Sequence, residues 1–223
     1  MRYTNLTDES AEYLAAREEL RLAEIELMRH RERVAQQRRD LPPGPVMPNY
    51  VFRDGLGTVT LDELVTDRPL IVYHLMYGKR QTSPCPMCTM WIDGFNGVAQ
   101  HIARNADFAV VAAAEPADLD RYGRARGWDQ LRLLSAGDST FKYDLRSEDE
   151  AGNQDSTVSV FVRDGQGAIR HHYTARPRMA EDIEERGIDL LAPVWHLLDL
   201  TPAGRGDWYA GLDYGRLVSG SRI

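Results

Sequence analysis

Residues 81–90 read QTSPCPMCTM and hold both cysteines of the 223-residue chain, Cys85 and Cys88. Thiols at this spacing can close a disulfide within one helical turn, hold half of a zinc site, or lie idle. A structural disulfide framework needs more cysteines, and a reducing compartment would not keep a lone bridge closed. The pair therefore reads as catalytic or metal-binding. A helix beginning at Cys85 or Pro86 accepts proline in its first position and leaves the Cys85 sulfur facing backbone N–H groups with no helical partner. Those groups, with the positive end of the helix dipole, favour the thiolate, which is the nucleophile. Cys88 opens the series Cys88, Ile92, Phe95, Ala99, Ile102, whose steps of three and four mark a buried helix face. Cys85 is thus expected to attack and Cys88 to resolve the mixed disulfide from behind it.

Thr82, Pro84, Pro86 and Trp91 flank the thiols and are candidates for contact with a substrate, although packing competes for Trp91. Zinc would need two more ligands, from His74, His101, His171 and His172. There is no second C-x-x-C, and His171 and His172 point to opposite faces of any strand that holds them both. Neither a metal nor an organic cofactor is expected. Asp93 could relay a proton from Cys88 through water or be a solvated surface carboxylate. Tyr143, Arg163 and Arg176 could approach the thiols, depending on how the loops fold.

The elements around this motif alternate. Residues 7–39 lack glycine and proline, carry Thr7, Asp8 and Glu9 at the start and Arg33, Arg38 and Arg39 at the end, and repeat Tyr13, Leu20, Leu27, Val34 every seventh position. That pattern predicts one long amphipathic helix with a narrow apolar stripe, which either docks on the rest of the chain or forms a homodimer contact. Leu41-Pro-Pro-Gly-Pro ends it as a stiff linker. Tyr50–Arg53 and Thr58–Thr60 around Asp54-Gly55 predict a hairpin, and Thr60 a cap on a short helix at 61–65. LIVYHLM, residues 70–76, reads as a strand covered on both faces. The thiols follow, then a helix to about Arg104, a strand from Phe108, a helix over Pro116–Arg126 and a strand over Leu131–Leu134. The acidic run RSEDEAGNQDS, residues 146–156, predicts a mobile surface loop. Val158–Arg163 and Ala168–Tyr173 form a hairpin, and Ile188–Leu200 a last helix that starts or bends at Pro193. The expected division is 1–41 helical extension, 42–200 α/β domain, 201–223 tail. Parallel strands with crossover helices bind ligands at the strands' C-terminal ends, where this C-x-x-C falls.

A buried strand, a loop, C-x-x-C at a helix start, a βαβ unit and a final hairpin plus helix resemble the thioredoxin fold. The segments YHLMYG, CPMCTMWIDGFNG, RGWDQLRLLSAGDSTFKYD, VSVFVRDG and LLDLTPAGRGDW are similar to the DUF899 group of bacterial thioredoxin-like proteins, over nearly the whole chain. The resemblance implies the fold and brings no reaction with it. In thioredoxins a cis-proline faces the thiols just before the hairpin. Thr157 stands at that position here, so Thr157 and Val158 are the expected backbone edge for an extended substrate. Thr82-Ser-Pro-Cys85 also resembles the Thr-x-x-Cys half of the peroxiredoxin motif, with Gly78 where that motif has proline.

The expected activity is thiol–disulfide exchange, with a disulfide or peroxide substrate and an external thiol reductant. A thiol peroxidase and a scaffold with idle thiols are the alternatives. A net charge of −7 argues against a general hold on nucleic acid or acidic membrane. No apolar run reaches the roughly 20 residues that span a bilayer, and the first residues lack a signal-peptide pattern, so a cytoplasmic protein is expected.

Overall fold

A computed structural model describes residues 6–181 and 186–214. The chain divides into two compact units, 1–42 and 43–223. In the first, helix α1 spans Ala11–Arg39. Ser10 caps it by accepting the Tyr13 N–H, so the helix starts later than the Thr7-Asp8-Glu9 signal suggested. Its last turn carries Arg38 and Arg39, which suits the negative end of the dipole. No α1 residue is buried, and Tyr13, Leu20 and Leu27 of the apolar stripe are exposed.

The second unit is built on one seven-stranded sheet. In chain order its elements are β1 (Val51–Asp54), β2 (Gly57–Thr60), α2 (Leu61–Leu64), β3 (Leu70–His74), α3 (Pro86–Ile102), β4 (Asp107–Ala112), α4 (Pro116–Arg126), β5 (Arg132–Ser135), α5 (Phe141–Asp144), β6 (Thr157–Arg163), β7 (Ile169–Ala175) and α6 (Pro193–Leu198). The sheet order is β2-β1-β5-β4-β3-β6-β7. Strands β3, β4 and β5 run parallel, and β6 and β1 join them antiparallel on either side. Thr60 and Glu63 form a reciprocal capping box on α2, as the sequence suggested. The last helix starts at Pro193, preceded by a 3₁₀ turn over Arg186–Leu191. Helix α5 was not anticipated, being a single turn too short to show a period.

Residues of β3 and β4 alternate between two cores, as a sheet covered on both faces requires. Leu70, Val72, Ala109 and Val111 pack with Phe52, Phe141 and Phe161. Tyr73, Leu75, Val110 and Ala112 pack with Cys88, Trp91, Ile92 and Phe95 of α3. Tyr73 therefore points toward the thiol helix, and His74 toward α5, where its ring stacks on Phe141. The C-terminal segment joins the α3 side: Ala210 is buried there and Trp208 packs edge-on against Trp195 of α6.

Two expectations about the site region are corrected. Strand β6 lies between β3 and β7; Val158 pairs with Tyr73 on one side and Ala175 on the other and so is no open backbone edge, while Thr157, at the strand's start, pairs with His74 of β3. Both are buried, and the Thr157 hydroxyl pairs with that of Ser147. The acidic 146–156 segment is a bonded turn. Glu148 and Gln154 bridge its ends, and Asp149 accepts from the backbone N–H and side-chain amide of Asn153. Polar composition suggested mobility, but the carboxylates here bond their own backbone, which orders a turn.

Candidate functional site

Cys85 is the N-cap residue of α3 in an extended conformation, with Pro86 in the first helical position. Its backbone N–H donates to the Met76 carbonyl at 3.0 Å, which ties the helix start back to the loop leaving β3. That loop is pinned in turn: Ala113 and Ala114 both donate to the Tyr77 carbonyl, at 3.1 and 2.8 Å. The Cys85 side chain makes no capping bond to the first turn, contrary to expectation. The buried Cys88 thiol meets it instead.

Cys85 is partly exposed and Cys88 fully buried, and no disulfide joins them. Burial pushes the Cys88 thiol well above its ordinary value, and the hydrogen bond and charge of Cys85 add to that shift. The Tyr73 hydroxyl and the Met76 backbone act the other way by bonding the Cys88 sulfur. Tyr73 is wholly buried, and its hydroxyl also lies 2.8 Å from Ser156 Oγ. Burial, followed by the charge of Cys88 and the bond to it, holds the Tyr73 phenol protonated far beyond its usual range.

Lys142 is also buried, on α5, with Nζ donating to the Leu75 carbonyl at 3.1 Å. Burial lowers its pKa to about 8, opposed by the charges of Cys88, Glu148 and Asp155. A buried cation is expensive, and the carboxylates of Glu148 and Asp155 offset part of the cost, with Cys88 adding to them only once it ionises.

Cys85 and, behind it, the buried Cys88 are among the residues lining a cavity of about 590 Å3. Met76, Met87 and Trp91 line it beside them. The ordered turn supplies another wall, with Glu148, Glu150, Asp155 and Arg146. Tyr143, Ser156 and Tyr209 of the C-terminal segment line it too.

Of the sequence-derived candidates, Cys85, Cys88 and Trp91 come together here, and Tyr143 joins them. Thr82 is exposed, Pro84 buried and Pro86 half-buried, and none of the three lines the cavity. Asp93 accepts from Trp128 Nε1 at 2.8 Å and pairs with Arg126, so it braces α3 against α4 instead of relaying a Cys88 proton. Arg163 pairs with Asp62 and bonds the α2 carbonyls. Arg176 donates to the Leu145 and Arg146 carbonyls and so supports the cavity's turn from behind. His74 bonds Ser159 and His171 bonds Thr174. Neither these two histidines nor His101 and His172 line the cavity. Among the described residues, no group of three or more His, Cys, Asp or Glu side chains could hold a metal ion.

Tyr73, Lys142, Ser156 and Gln154 were missed. The alternation in β3 was a usable signal for Tyr73, since a tyrosine on the thiol-facing side must find its hydroxyl a buried partner. Lys142 was visible as one of two lysines in an arginine-rich chain.

A family model described as a bacterial protein of unknown function (DUF899) matches residues 3–217. The chain belongs to the DUF899 family. No curated protein matches this DUF899 chain. Among solved structures, a PrxQ cysteine mutant from Xylella fastidiosa is similar at TM-score 0.50 and 15% identity, covering 68% of this chain and 93% of that one. Peroxidoxin BcpB from Mycobacterium tuberculosis is similar at TM-score 0.50 and 16% identity, covering 68% and 94%. At these identities the likeness shows the fold, which is thioredoxin-like. No described helix is long and apolar enough to cross a membrane.

Proposed function

We propose that this DUF899 protein is a thiol–disulfide oxidoreductase with Cys85 and Cys88 as its working pair. The stacking of the thiols supports this best: a partly exposed Cys85 heads α3 at the cavity, and buried Cys88 lies one turn behind, bonded to it. The Cys85 thiolate attacks one sulfur of a substrate RSSR, forming a Cys85–S–S–R bond and expelling RS⁻. Cys88 then attacks the Cys85 sulfur, closing the Cys85–Cys88 disulfide as its proton leaves with the second RS group as RSH. The substrate gains two electrons and the pair loses them, and an external thiol reductant restores the dithiol. The Tyr73 hydroxyl stands where it stabilises the Cys88 sulfur as the proton departs, and Lys142 adds a positive charge behind it.

Peroxide is the second candidate oxidant, favoured by the peroxiredoxin identity of the fold neighbours. Cys85 would take one oxygen as sulfenic acid, releasing hydroxide, and Cys88 would condense with it, releasing water.

Reduced protein is mixed with 2-hydroxyethyl disulfide and, separately, with hydrogen peroxide, and thiol loss is followed against free cysteine. Faster consumption of the disulfide, with Cys88→Ser trapping a mixed disulfide on Cys85, is the expected result. Preference for peroxide makes the protein a peroxidase. Rates no faster than free cysteine in both arms leave the thiols idle and refute both activities.

A further inference from the structure

Helix α1 carries an apolar seam that its own chain leaves open. Tyr13, Leu20, Leu27 and Val34 recur every seven residues, and Ala16, Ala23 and His30 stand three places after the first three. Steps of three and four that average 3.5 are the period of a supercoiled helix pair. On a straight helix such a line drifts by about 20° per heptad, and a second helix wound around the first is what keeps it in contact. Every seam residue from Tyr13 to His30 is exposed, Tyr13, Leu20 and Leu27 by more than half. Helices in proteins owe most of their stability to one packed face, and α1 runs for 29 residues with none buried.

The charges along α1 are divided end from end. Residues 11–24 hold four glutamates and two arginines, a net of −2, and residues 26–39 hold five arginines and two glutamates, a net of +3. We propose that α1 pairs antiparallel with α1 of a second copy of this chain. Antiparallel pairing sets the negative half of each helix beside the positive half of the other, where parallel pairing would set like against like. Reversal also brings the seven-spaced positions opposite the alanine positions. In the register that opposes Leu20 to the partner's Ala23, Leu27 meets the partner's Ala16 and Tyr13 meets the partner's His30. Large side chains then fill the space left by small ones in each layer. Parallel helices would stack Leu on Leu and Ala on Ala, crowding one layer and leaving a gap in the next. Beside the seam, Glu12 lies across from the partner's Arg33 and Arg17 from the partner's Glu24, with Glu19 and the partner's Glu26 the like-charged exception. This contact goes beyond the thiol reading and does not depend on it.

Reduced full-length protein is followed by analytical ultracentrifugation over a wide concentration range. The expected species has twice the 25.3 kDa mass of one chain. Leu20→Glu combined with Leu27→Glu fills the seam with carboxylates and should give the single-chain mass. Its α/β unit should melt as in the wild type, because neither side chain belongs to a hydrophobic core. Arg33→Glu should weaken the pair severalfold, and adding Glu12→Arg should restore it, since the two positions meet only across opposed helices. Spin labels at Ala11→Cys, in a Cys85→Ser, Cys88→Ser background, should sit about 30 Å apart, against about 10 Å for a parallel pair. A single-chain mass for the wild type at every concentration, or a dimer that survives the two glutamates, overturns the contact. Labels about 10 Å apart, or a Glu12→Arg change that fails to rescue Arg33→Glu, overturn the antiparallel pairing.

Discussion

Replacing Lys142 by methionine tests the electrostatics beneath the thiols. The folded state lowers this lysine from 10.5 to about 8, chiefly by burial. Its folded pKa lies below its unfolded one, so folding is penalised while the side chain is charged in both states, and the penalty lifts as pH rises from 8 toward 10.5. At about 1.36 kcal/mol per pH unit, the full penalty is about 3 kcal/mol. Methionine removes that cost and forfeits the bond to the Leu75 carbonyl, worth about 1 to 1.5 kcal/mol. The carbonyl keeps a second donor in the Tyr77 N–H at 2.9 Å, so it is not orphaned. K142M should therefore be about 2 kcal/mol more stable than wild type at pH 7, and the wild type should recover about 2 kcal/mol by pH 9.5. Urea unfolding of both reduced proteins between pH 7 and 9.5 reads this as two curves that converge. Cys88 and Tyr73 titrate with the opposite sign in both proteins, so the difference isolates the lysine. Parallel curves across that range would refute a buried lysine titrating near 8. The same variant should resolve mixed disulfides more slowly, because it removes a buried cation that interacts electrostatically with Cys88.

Tyr73→Phe takes the hydroxyl from both Cys88 and Ser156. It should cost about 1 to 2 kcal/mol in urea unfolding and let the Cys85 mixed disulfide accumulate, seen by mass after an acid quench. Cys88→Ala should flatten the alkaline limb of stability. The raised Cys88 pKa means the folded state keeps a proton the unfolded chain gives up, so stability falls as pH rises above the ordinary cysteine value, and the variant lacks that slope. Gly44→Ala drives a Cβ into the backbone carbonyl of His171, which cannot step aside as a side-chain tip would. A loss of about 1 to 3 kcal/mol is expected, and an unchanged melting temperature would show that the linker is free to move there. Deleting residues 1–42 should leave the melting temperature of the remainder within a few degrees of the full chain, since both hydrophobic cores are built entirely from residues after Pro43.

Much of the architecture could be read locally. Nearly continuous apolar runs at 70–76 and 108–113 suited strands covered on both faces, and the Thr60, Pro86, Pro116 and Pro193 signals each mark a helix start. The thiol pair's asymmetry also followed from periodicity: Cys88 begins the apolar face of α3 and is buried, while Cys85 caps the helix and is partly exposed. These features depend on neighbours within a turn or two, and helix and strand periods record such neighbours directly.

The cavity was decided elsewhere. Tyr73 and Ser156 lie 83 positions apart, and Lys142 reaches the Leu75 carbonyl across 67. No local pattern encodes such pairings, because they arise from strand order and from which loops meet at one end of the sheet. The same cause displaced Thr157 and Val158 from the site: alignment by turn position found the right strand, but β3 and β7 committed the Val158 backbone to the ladder, and Thr157 is buried with its hydroxyl on Ser147. The acidic turn was misjudged because composition registers charge without its bonding, and only the fold aims those carboxylates at their own N–H groups. In this protein the sequence by itself determined where Cys85 sits on its helix; tertiary structure alone chose what surrounds it, since burial and charge act through space and not along the chain.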